Sequence, residues 1–160
     1  SPVGPLLAAA TPRGLAALRY VRGGVEQELA ELAARLSPRI LAAPRRLEPL
    51  RLQLDQYFAG RRCRFEVPLD WSLAAGFTRR VLEVTARIPY GEVATYAQVA
   101  ATAGHPRAAR AAGNALGANP LPIVVPCHRV VRTGGEVGGY TGGGQRKRVL
   151  LRLEGALDAG

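Results

Sequence analysis

The hydrophobic pattern of the first 70 residues predicts a small α/β unit. Apolar runs over residues 6–10 and 14–21, separated by a Thr-Pro-Arg turn, are typical of a β-hairpin. Residues 26–36 and 44–58 carry apolar side chains at helical spacing and predict two amphipathic helices. Residues 62–67 alternate polar and apolar side chains, which predicts a further strand. Because this unit contains no recognisable catalytic constellation, we expect it to support the rest of the chain.

The pattern changes after residues 68–71, which we interpret as a linker between two domains, 1–70 and 71–160. Beyond the linker, residues 77–88 place apolar side chains at helical spacing, and a Pro-Tyr-Gly sequence ends this predicted helix. The second domain therefore begins with an amphipathic helix.

Two short helices joined by a turn are predicted next. Thr95 and Gln98 have capping-box spacing, in which each side chain satisfies the other's free backbone N–H group, so a helix should begin there and run to residue 103. Gly104 suits a left-handed cap, and Pro106 suits the start of the next helix, over residues 107–115. Two helices separated by about three residues are typical of a helix-turn-helix motif; an ordinary helical hairpin is the alternative.

The second of these helices consists almost wholly of small side chains, interrupted by Arg107 and Arg110. A helix that reads base edges in the major groove needs longer hydrogen-bonding side chains. Small side chains with interspersed cations instead allow close approach to a narrow groove and to phosphates. The pattern predicts sequence-independent DNA binding through the minor groove.

Composition and charge agree with an anionic partner. The formal charge is +10, because 22 basic residues, all but one of them arginine, face 12 acidic ones. The alternative is that an Arg-, Ala- and Gly-rich composition reflects genomic base content. A chain of 160 residues is long enough for one domain or two small ones. No stretch has membrane-spanning length or the form of a leader peptide, so we expect a cytoplasmic protein.

A nearly all-apolar run with prolines, residues 119–125, predicts a stiff, extended segment that leads into Pro-Cys-His-Arg-Val at 126–130. A cysteine held on such a segment is shielded. That suits a thiolate reacting in a pocket better than it suits a disulfide. The other cysteine, Cys63, is interpreted as structural, since it and Cys127 form neither a disulfide framework nor the paired spacing of a zinc site.

The Pro-Cys-His-Arg-Val sequence, preceded by Asn-Pro-x-Pro and followed by Gly-Gly-Tyr-Thr-Gly-Gly, closely resembles the O6-alkylguanine-DNA alkyltransferase family. Four further blocks match in order: Ile-Pro-Tyr-Gly-Glu-Val at 88–93, Thr-Tyr at 95–96, Ala-Ala-Arg-Ala at 108–111 and Leu-Leu-Arg-Leu-Glu-Gly at 150–155. The dense part of the resemblance covers about residues 77–155, and the opening, residues 2–7, is similar but weaker.

The resemblance implies a ribonuclease H-like α/β N-terminal domain, followed by a mostly α C-terminal domain with a winged helix-turn-helix-like motif. It implies DNA repair by irreversible, single-turnover transfer of an alkyl group from O6-alkylguanine in double-stranded DNA to Cys127, with the damaged nucleotide flipped from the minor groove. O4-alkylthymine is a second expected substrate. We expect no cofactor, no membrane association and a monomer, with cooperative binding to DNA left open. Some members carry zinc in the N-terminal domain, but residues 1–70 contain one cysteine and no histidine, so we expect no metal.

The chemistry agrees with the resemblance, because a thiolate is the best side-chain nucleophile for attack on an alkyl carbon. A free thiol titrates near pH 8.5, so a base must take its proton. His128 is adjacent to Cys127, but successive residues of an extended strand point to opposite faces, which argues against direct contact. The resemblance implies that His128 acts on Cys127 through a water molecule and is oriented by Glu154.

The resemblance assigns roles to further residues. Arg110 would replace the flipped nucleotide in the stack, Tyr96 would press on the phosphate and donate to guanine N3, and Asn119 would fasten the turn after the recognition helix to the active-site segment. The Thr141 N–H would reach O6, where the family commonly has serine, and the Cys127 and Val130 carbonyls would read the exocyclic amine. The remaining expected DNA contacts are Thr95, Ala109, Ala111, Ala112 and Gly113, and the remaining pocket residues are Pro122, Gly138, Tyr140 and Lys147. A solvated position on a helix is the alternative for Lys147.

Two other functions stay open. A lesion-binding protein could recruit repair factors without transferring the alkyl group, although the noncatalytic relatives have tryptophan where this chain has Cys127. A thiol hydrolase would need an oxyanion hole and turnover, and it would leave the helix-turn-helix unexplained.

Overall fold

A computed structural model describes residues 1–158 and separates the chain into two compact units, Ser1–Leu73 and Ala74–Gly160. Their secondary structure comprises β1 (Leu6–Thr11), β2 (Gly14–Tyr20), α1 (Val25–Arg35) and α2 (Pro44–Phe58) in the first unit, then α3 (Gly76–Thr85), β3 (Ala94–Thr95), α4 (Tyr96–Thr102), α5 (Ala109–Gly117), β4 (Val130–Val131) and α6 (Gly144–Leu153) in the second. Within residues 1–158, none of the helices has the length and apolar character needed to cross a membrane.

The first unit is built on the β1–β2 hairpin. The strands pair antiparallel from Leu6 opposite Tyr20 to Thr11 opposite Gly14, with an irregularity between Ala9 and Ala10. Strand β2 supplies much of the core, because its positions 15–18 are almost fully buried. Gly14 is required at the tip, since a Cβ atom there would lie 2.5 Å from the backbone oxygen of Pro68.

The strand predicted over residues 62–67 is wrong. This segment is irregular. The backbone N–H of Glu66 donates to a side chain on α2, Gln53 Oε1, at 2.7 Å. Pairing with the hairpin comes later in the chain, as an isolated parallel bridge between Leu15 and Leu69. A side chain on α2 thus replaces the strand ladder that the alternating pattern predicted.

The second unit contains the predicted pair of short helices. Thr95 Oγ1 accepts from the Gln98 N–H at 3.1 Å and Gln98 Oε1 accepts from the Thr95 N–H at 2.8 Å, so the capping box that starts α4 is formed. Gly104 follows α4 with a φ of +91°. Helix α5 begins at Ala109, two residues later than expected, because residue 108 bonds back to His105 in the turn.

The segment before Cys127 is not the extended run that its composition predicted. Residues 120–124 form turns, in which Val125 N–H donates to the Leu121 carbonyl at 2.8 Å. Ile123 has a φ of +73°, a conformation that β-branched side chains rarely adopt. The side chain of Asn119 holds the turn, since it accepts from the Leu121 N–H at 2.9 Å and donates to the Val125 carbonyl at 3.0 Å.

Candidate active site

Cys127 begins a short 3-10 turn, Cys127–Arg129, instead of lying on the strand that we expected. The residue is 4% exposed and reaches the wall of a cleft of about 630 Å³. Burial raises the pKa of its thiol to about 11, although a hydrogen bond with Asn119 and the charge of Lys147 oppose that rise. A thiol in this setting is protonated at neutral pH, so a nearby base is needed to form the nucleophile.

His128, the residue that follows Cys127, forms a fully buried pair with Glu154. His128 Nε2 lies 2.8 Å from Glu154 Oε1, and both side chains are inaccessible to solvent. Because an ionised carboxylate only accepts hydrogen bonds, we assign the proton to Nε2 and the lone pair to Nδ1. Nδ1 is buried without a hydrogen-bond partner among the described residues. Burial lowers the pKa of His128 against the opposing effect of Glu154, so the ring is a neutral base near pH 7.

Arg129 is a member of this site that sequence reasoning missed. It is 6% exposed, and its guanidinium binds both oxygens of Glu154, from Nε to Oε2 at 2.8 Å and from Nη2 to Oε1 at 2.9 Å. Its Nη1 donates to the Ile88 carbonyl at 2.5 Å. The signal available in the sequence was its place in the Pro-Cys-His-Arg-Val block, but an arginine there could equally have faced solvent.

The Ile-Pro-Tyr-Gly block lies against the same helix end. The Tyr90 hydroxyl donates to the Leu153 carbonyl at 3.1 Å, and the Tyr90 ring lies under the Arg129 guanidinium at 5.8 Å. Gly91 has a φ of +80°, and a Cβ atom there would be 3.1 Å from the Glu154 carbonyl oxygen. Two sequence blocks more than 50 residues apart therefore meet to position the Glu154 carboxylate.

The cleft in front of Cys127 brings together seven of the residues predicted for the site. Its lining includes Cys127, Tyr96, Ala109, Arg110, Gly113, Tyr140 and Thr141. It also includes Arg132, Leu116, Gly117 and Gly139, which the prediction omitted. The Thr141 hydroxyl donates to the Gly117 carbonyl at 3.2 Å, so the loop that closes the cleft is tied to the end of α5.

The remaining predicted residues lie around the cleft rather than in its lining. Ala111 is exposed on α5 and Thr95 is half-buried at the start of α4. Gly138 packs on Tyr96, whose hydroxyl oxygen would be 3.1 Å from a Cβ atom at that position. Pro122 precedes Cys127 in the chain and Val130 follows it; both are buried, and neither lines the cleft. The prediction that Ala112 contacts DNA is wrong, because Ala112 is fully buried in the core of the second unit.

Lys147 is buried, so it is not a solvated helix residue. Its Nζ donates to the Val130 carbonyl at 2.5 Å and to the Gly139 carbonyl at 3.0 Å. It also lies 5.8 Å from the centre of the Tyr96 ring. Burial lowers its pKa to about 8. Within residues 1–158, no group of three or more His, Cys, Asp and Glu side chains is arranged to hold a metal ion.

Comparison with known families agrees with both units. Residues 1–71 match "6-O-methylguanine DNA methyltransferase, ribonuclease-like domain", and residues 76–156 match "6-O-methylguanine DNA methyltransferase, DNA binding domain". The chain belongs to the 6-O-methylguanine DNA methyltransferase family. The expected family is thereby confirmed, and so is the fold class of a small α/β domain followed by a mostly helical DNA-binding domain.

Individual relatives have the same family name. The "Methylated-DNA--protein-cysteine methyltransferase" of Mycobacterium tuberculosis is 49% identical over 102 residues, which cover 64% of this chain and only 61% of that relative. The protein of the same name from Methanosarcina acetivorans is 36% identical over 156 residues, covering 98% of this chain and 95% of the relative. The structure of M. tuberculosis OGT in complex with DNA superposes with a TM-score of 0.83 at 39% identity, covering 98% of this chain and 89% of that one.

Proposed function

We propose that this protein repairs DNA by moving the alkyl group of O6-alkylguanine onto Cys127. The observation that carries the proposal is the position of one buried thiol at the wall of an open cleft, followed directly in the chain by a buried imidazole whose Nε2 is held by a carboxylate. The family membership supports the same reaction, since the relatives are named as methylated-DNA–protein-cysteine methyltransferases. Double-stranded DNA is then the partner, with Arg110 and the small side chains of α5 at the rim of the cleft.

The first step is removal of the thiol proton. His128 Nδ1 is the acceptor, because Nε2 already donates to Glu154. A bridging water between Nδ1 and the thiol would satisfy the unpartnered nitrogen and carry the proton. Glu154 then stabilises the imidazolium. Arg129 limits this stabilisation, since it shares the same carboxylate.

The second step is transfer. The thiolate sulfur attacks the alkyl carbon, the S–C bond forms, and the C–O6 bond breaks with its electron pair going to the guanine oxygen. The guanine takes up a proton in place of the alkyl group, which balances the proton lost by the thiol. The product is a thioether, and nothing in the relay can cleave a thioether. Each molecule is therefore consumed by one reaction.

The substrate has to leave the base stack to reach Cys127, because O6 is inside the duplex. Gly113 leaves space above the Tyr96 ring, since a Cβ atom there would still be 3.7 Å from that ring. The small residues of α5 thus permit close approach of a backbone, and Arg110, which lines the cleft, would fill the gap left by the flipped nucleotide. O4-alkylthymine presents a similar alkyl–oxygen bond and is a second substrate.

Intact-protein mass spectrometry tests the proposal directly. After incubation with a duplex that contains one O6-methylguanine, the protein should gain the mass of one CH₂ unit, located on Cys127, and the gain should never exceed one per molecule. Cys127→Ala should still bind the duplex and gain nothing. Binding without any mass gain in the parent would favour a lesion-binding protein, and many lesions repaired per molecule would favour turnover by a hydrolase.

A further inference from the structure

Arg132 is a cation of the cleft wall that the proposed reaction does not use. It lines the cleft together with Cys127, and its side chain is 64% exposed, so its charged end lies at the mouth of the cleft. Strand β4 pairs in parallel with β3, which brings the residues that follow the two strands, Arg132 and Tyr96, side by side. Both contact Gly138, where a Cβ atom would lie 3.1 Å from the Tyr96 hydroxyl and 3.4 Å from Arg132 Cγ.

The backbone of Arg132 is fixed by a tight turn over residues 132–136. The Arg132 N–H donates to the Glu136 carbonyl at 2.8 Å, and the Gly135 N–H donates to the Arg132 carbonyl at 3.0 Å. Gly134 and Gly135 have φ values of +92° and +86°, which glycine adopts readily. The turn therefore holds the base of the Arg132 side chain in place, while its exposed end can change partners.

The charge at the cleft has one sign. Its lining contains two arginines, Arg110 and Arg132, and no aspartate or glutamate among the described residues. The carboxylate paired with Arg132 is that of Glu136, at 3.7 Å, and it lies outside the lining and is 76% exposed. An exposed pair of this kind is weak, because water competes for both charges. A stronger anion at the mouth of the cleft can therefore displace Glu136.

A nucleotide whose base enters the cleft brings such an anion. Its base has to reach Cys127, whereas its phosphates stay joined to the strand outside and remain at the mouth. Tyr96, the neighbour of Arg132, is the residue expected to press on that backbone. A guanidinium group binds phosphate oxygens through two parallel N–H groups, and this arrangement is stronger than an exposed ion pair.

We propose that Arg132 binds a phosphate of the flipped nucleotide, and that Glu136 holds its guanidinium group when no nucleotide is present. Arg132 then recognises the substrate as a nucleotide, whereas Arg110 acts in the duplex that the nucleotide has left. This inference rests on the proposed function, which supplies the flipped nucleotide. Phosphate binding can be measured without alkyl transfer, so the two proposals can fail separately.

The test uses two small probes, O6-benzyl-2′-deoxyguanosine and its 3′,5′-bisphosphate, which share the reacting group and differ in the phosphates. Intact-protein mass gives the rate of Cys127 benzylation across a concentration series. In the parent, the bisphosphate should need about a fivefold lower concentration for half-maximal rate. Arg132→Met should lose most of this advantage and react with the neutral nucleoside as the parent does.

The pair of Arg79 and Glu83 on α3 provides matched controls. These residues are also four positions apart, they are joined at 3.0 Å, and neither lines the cleft. Arg79→Met and Glu83→Gln should match the parent with both probes. Glu136→Gln should lower the half-maximal concentration of the bisphosphate by about twofold, because the competing carboxylate is gone.

Two results would overturn these assignments. If Arg132→Met keeps the parental advantage of the bisphosphate, or if the parent has none, Arg132 does not bind a phosphate of the nucleotide. If Glu136→Gln behaves as Glu83→Gln does, Glu136 does not compete for the guanidinium group.

Unalkylated 2′-deoxyguanosine 3′,5′-bisphosphate gives a measurement that does not depend on transfer. In protein labelled with ¹⁵N-arginine, the Nε–H resonance of Arg132 is the one missing from the NMR spectrum of Arg132→Met. It should shift when the bisphosphate is added, and the Arg79 resonance, assigned in the same way, should not. A shift in a protein that transfers no alkyl group would uphold the phosphate site and reject the repair function. Normal transfer without this shift would reject the phosphate site alone.

Discussion

Arg129 and His128 share one carboxylate. Both oxygens of Glu154 accept from Arg129, and Oε1 accepts from His128 Nε2 as well, all within 2.8–2.9 Å. The base of the proposed relay is thus oriented by a carboxylate whose charge is already largely compensated. Burial lowers the pKa of His128 most, and the charge of Arg129 lowers it further, so His128 is neutral and ready to accept a proton.

Arg129→Met tests the sharing of the Glu154 carboxylate between Arg129 and His128. Breaking a buried ion pair leaves an uncompensated charge, so we expect the free energy of unfolding to fall by about 3–5 kcal/mol in urea titrations. The pKa of His128 should rise, because Arg129 is one of the charges that lower it. Arg132→Met is the control: its side chain is 64% exposed, and its loss should change stability by about 0.5 kcal/mol or less. Equal stability of the two variants would contradict the pairing.

Glu154→Gln and His128→Ala should slow alkyl transfer by orders of magnitude while changing DNA affinity little. The reason is that the Cys127 pKa of about 11 leaves few thiolates at neutral pH unless the relay removes the proton. Stopped-flow transfer rates should therefore recover partly as the pH is raised toward that value. If either variant transfers at the parental rate at neutral pH, the substituted residue has no part in proton removal.

The stability of the folded chain at alkaline pH should reveal two opposing groups. Folding raises the Cys127 pKa from 9.0 to about 11. The contribution of Cys127 to the free energy of unfolding therefore falls as the pH rises from 9 to 11. Folding lowers the Lys147 pKa from 10.5 to about 8, so the cost of burying this cation is relieved as the pH rises from 8 to 10.5. The two effects oppose each other where their ranges overlap, from about pH 9 to pH 10.5.

Cys127→Ser removes the group whose contribution to stability falls with rising pH and leaves that of Lys147. Its free energy of unfolding should increase between pH 8 and pH 10.5 by about 3 kcal/mol at most, whereas the parent should change much less. Urea titrations at the two pH values measure both. A serine variant whose stability is as independent of pH as the parent's would show that Lys147 keeps an ordinary pKa.

Arg110→Ala separates a residue that fills the vacated stack from one that only neutralises a phosphate. Since unstacking costs least when the base is already unpaired, we expect slow repair of a lesion in a paired duplex, smaller losses opposite a mismatch or in a single strand, and nearly normal reaction with free O6-benzylguanine. Arg107→Ala, an exposed arginine in the preceding turn, should weaken all DNA substrates alike. A uniform loss for Arg110→Ala, with a salt slope reduced by about one unit, would make it a phosphate contact as well.

The sequence predicted those elements that are formed by interactions between residues close together in the chain. Helix α2 has the expected bounds, Pro44–Phe58, and the capping box of Thr95 and Gln98 is present. The segment before Cys127 could not be predicted in this way. Its left-handed Ile123 opposes the preference of a β-branched residue, and bonds from the Asn119 side chain to the turn on either side of it hold that conformation.

The sequence also did not predict that charged side chains of the site would be buried. Arg129 and Lys147 are long cationic residues, which are seldom buried, and their sequence neighbours do not reveal their partners. Those partners, Glu154 for Arg129 and the Val130 and Gly139 carbonyls for Lys147, come from separate parts of the second unit. Burial of this kind is decided by packing between distant segments, so only the folded structure displays it.

Because the single lysine is buried, the exposed Lys and Arg side chains of residues 1–158 are all arginines. A guanidinium group keeps its proton to above pH 12, whereas lysine amines begin to lose theirs two units lower. The positive charge of the surface is therefore constant across the whole range in which the site titrates. Acylating reagents that neutralise lysine amines would leave it intact.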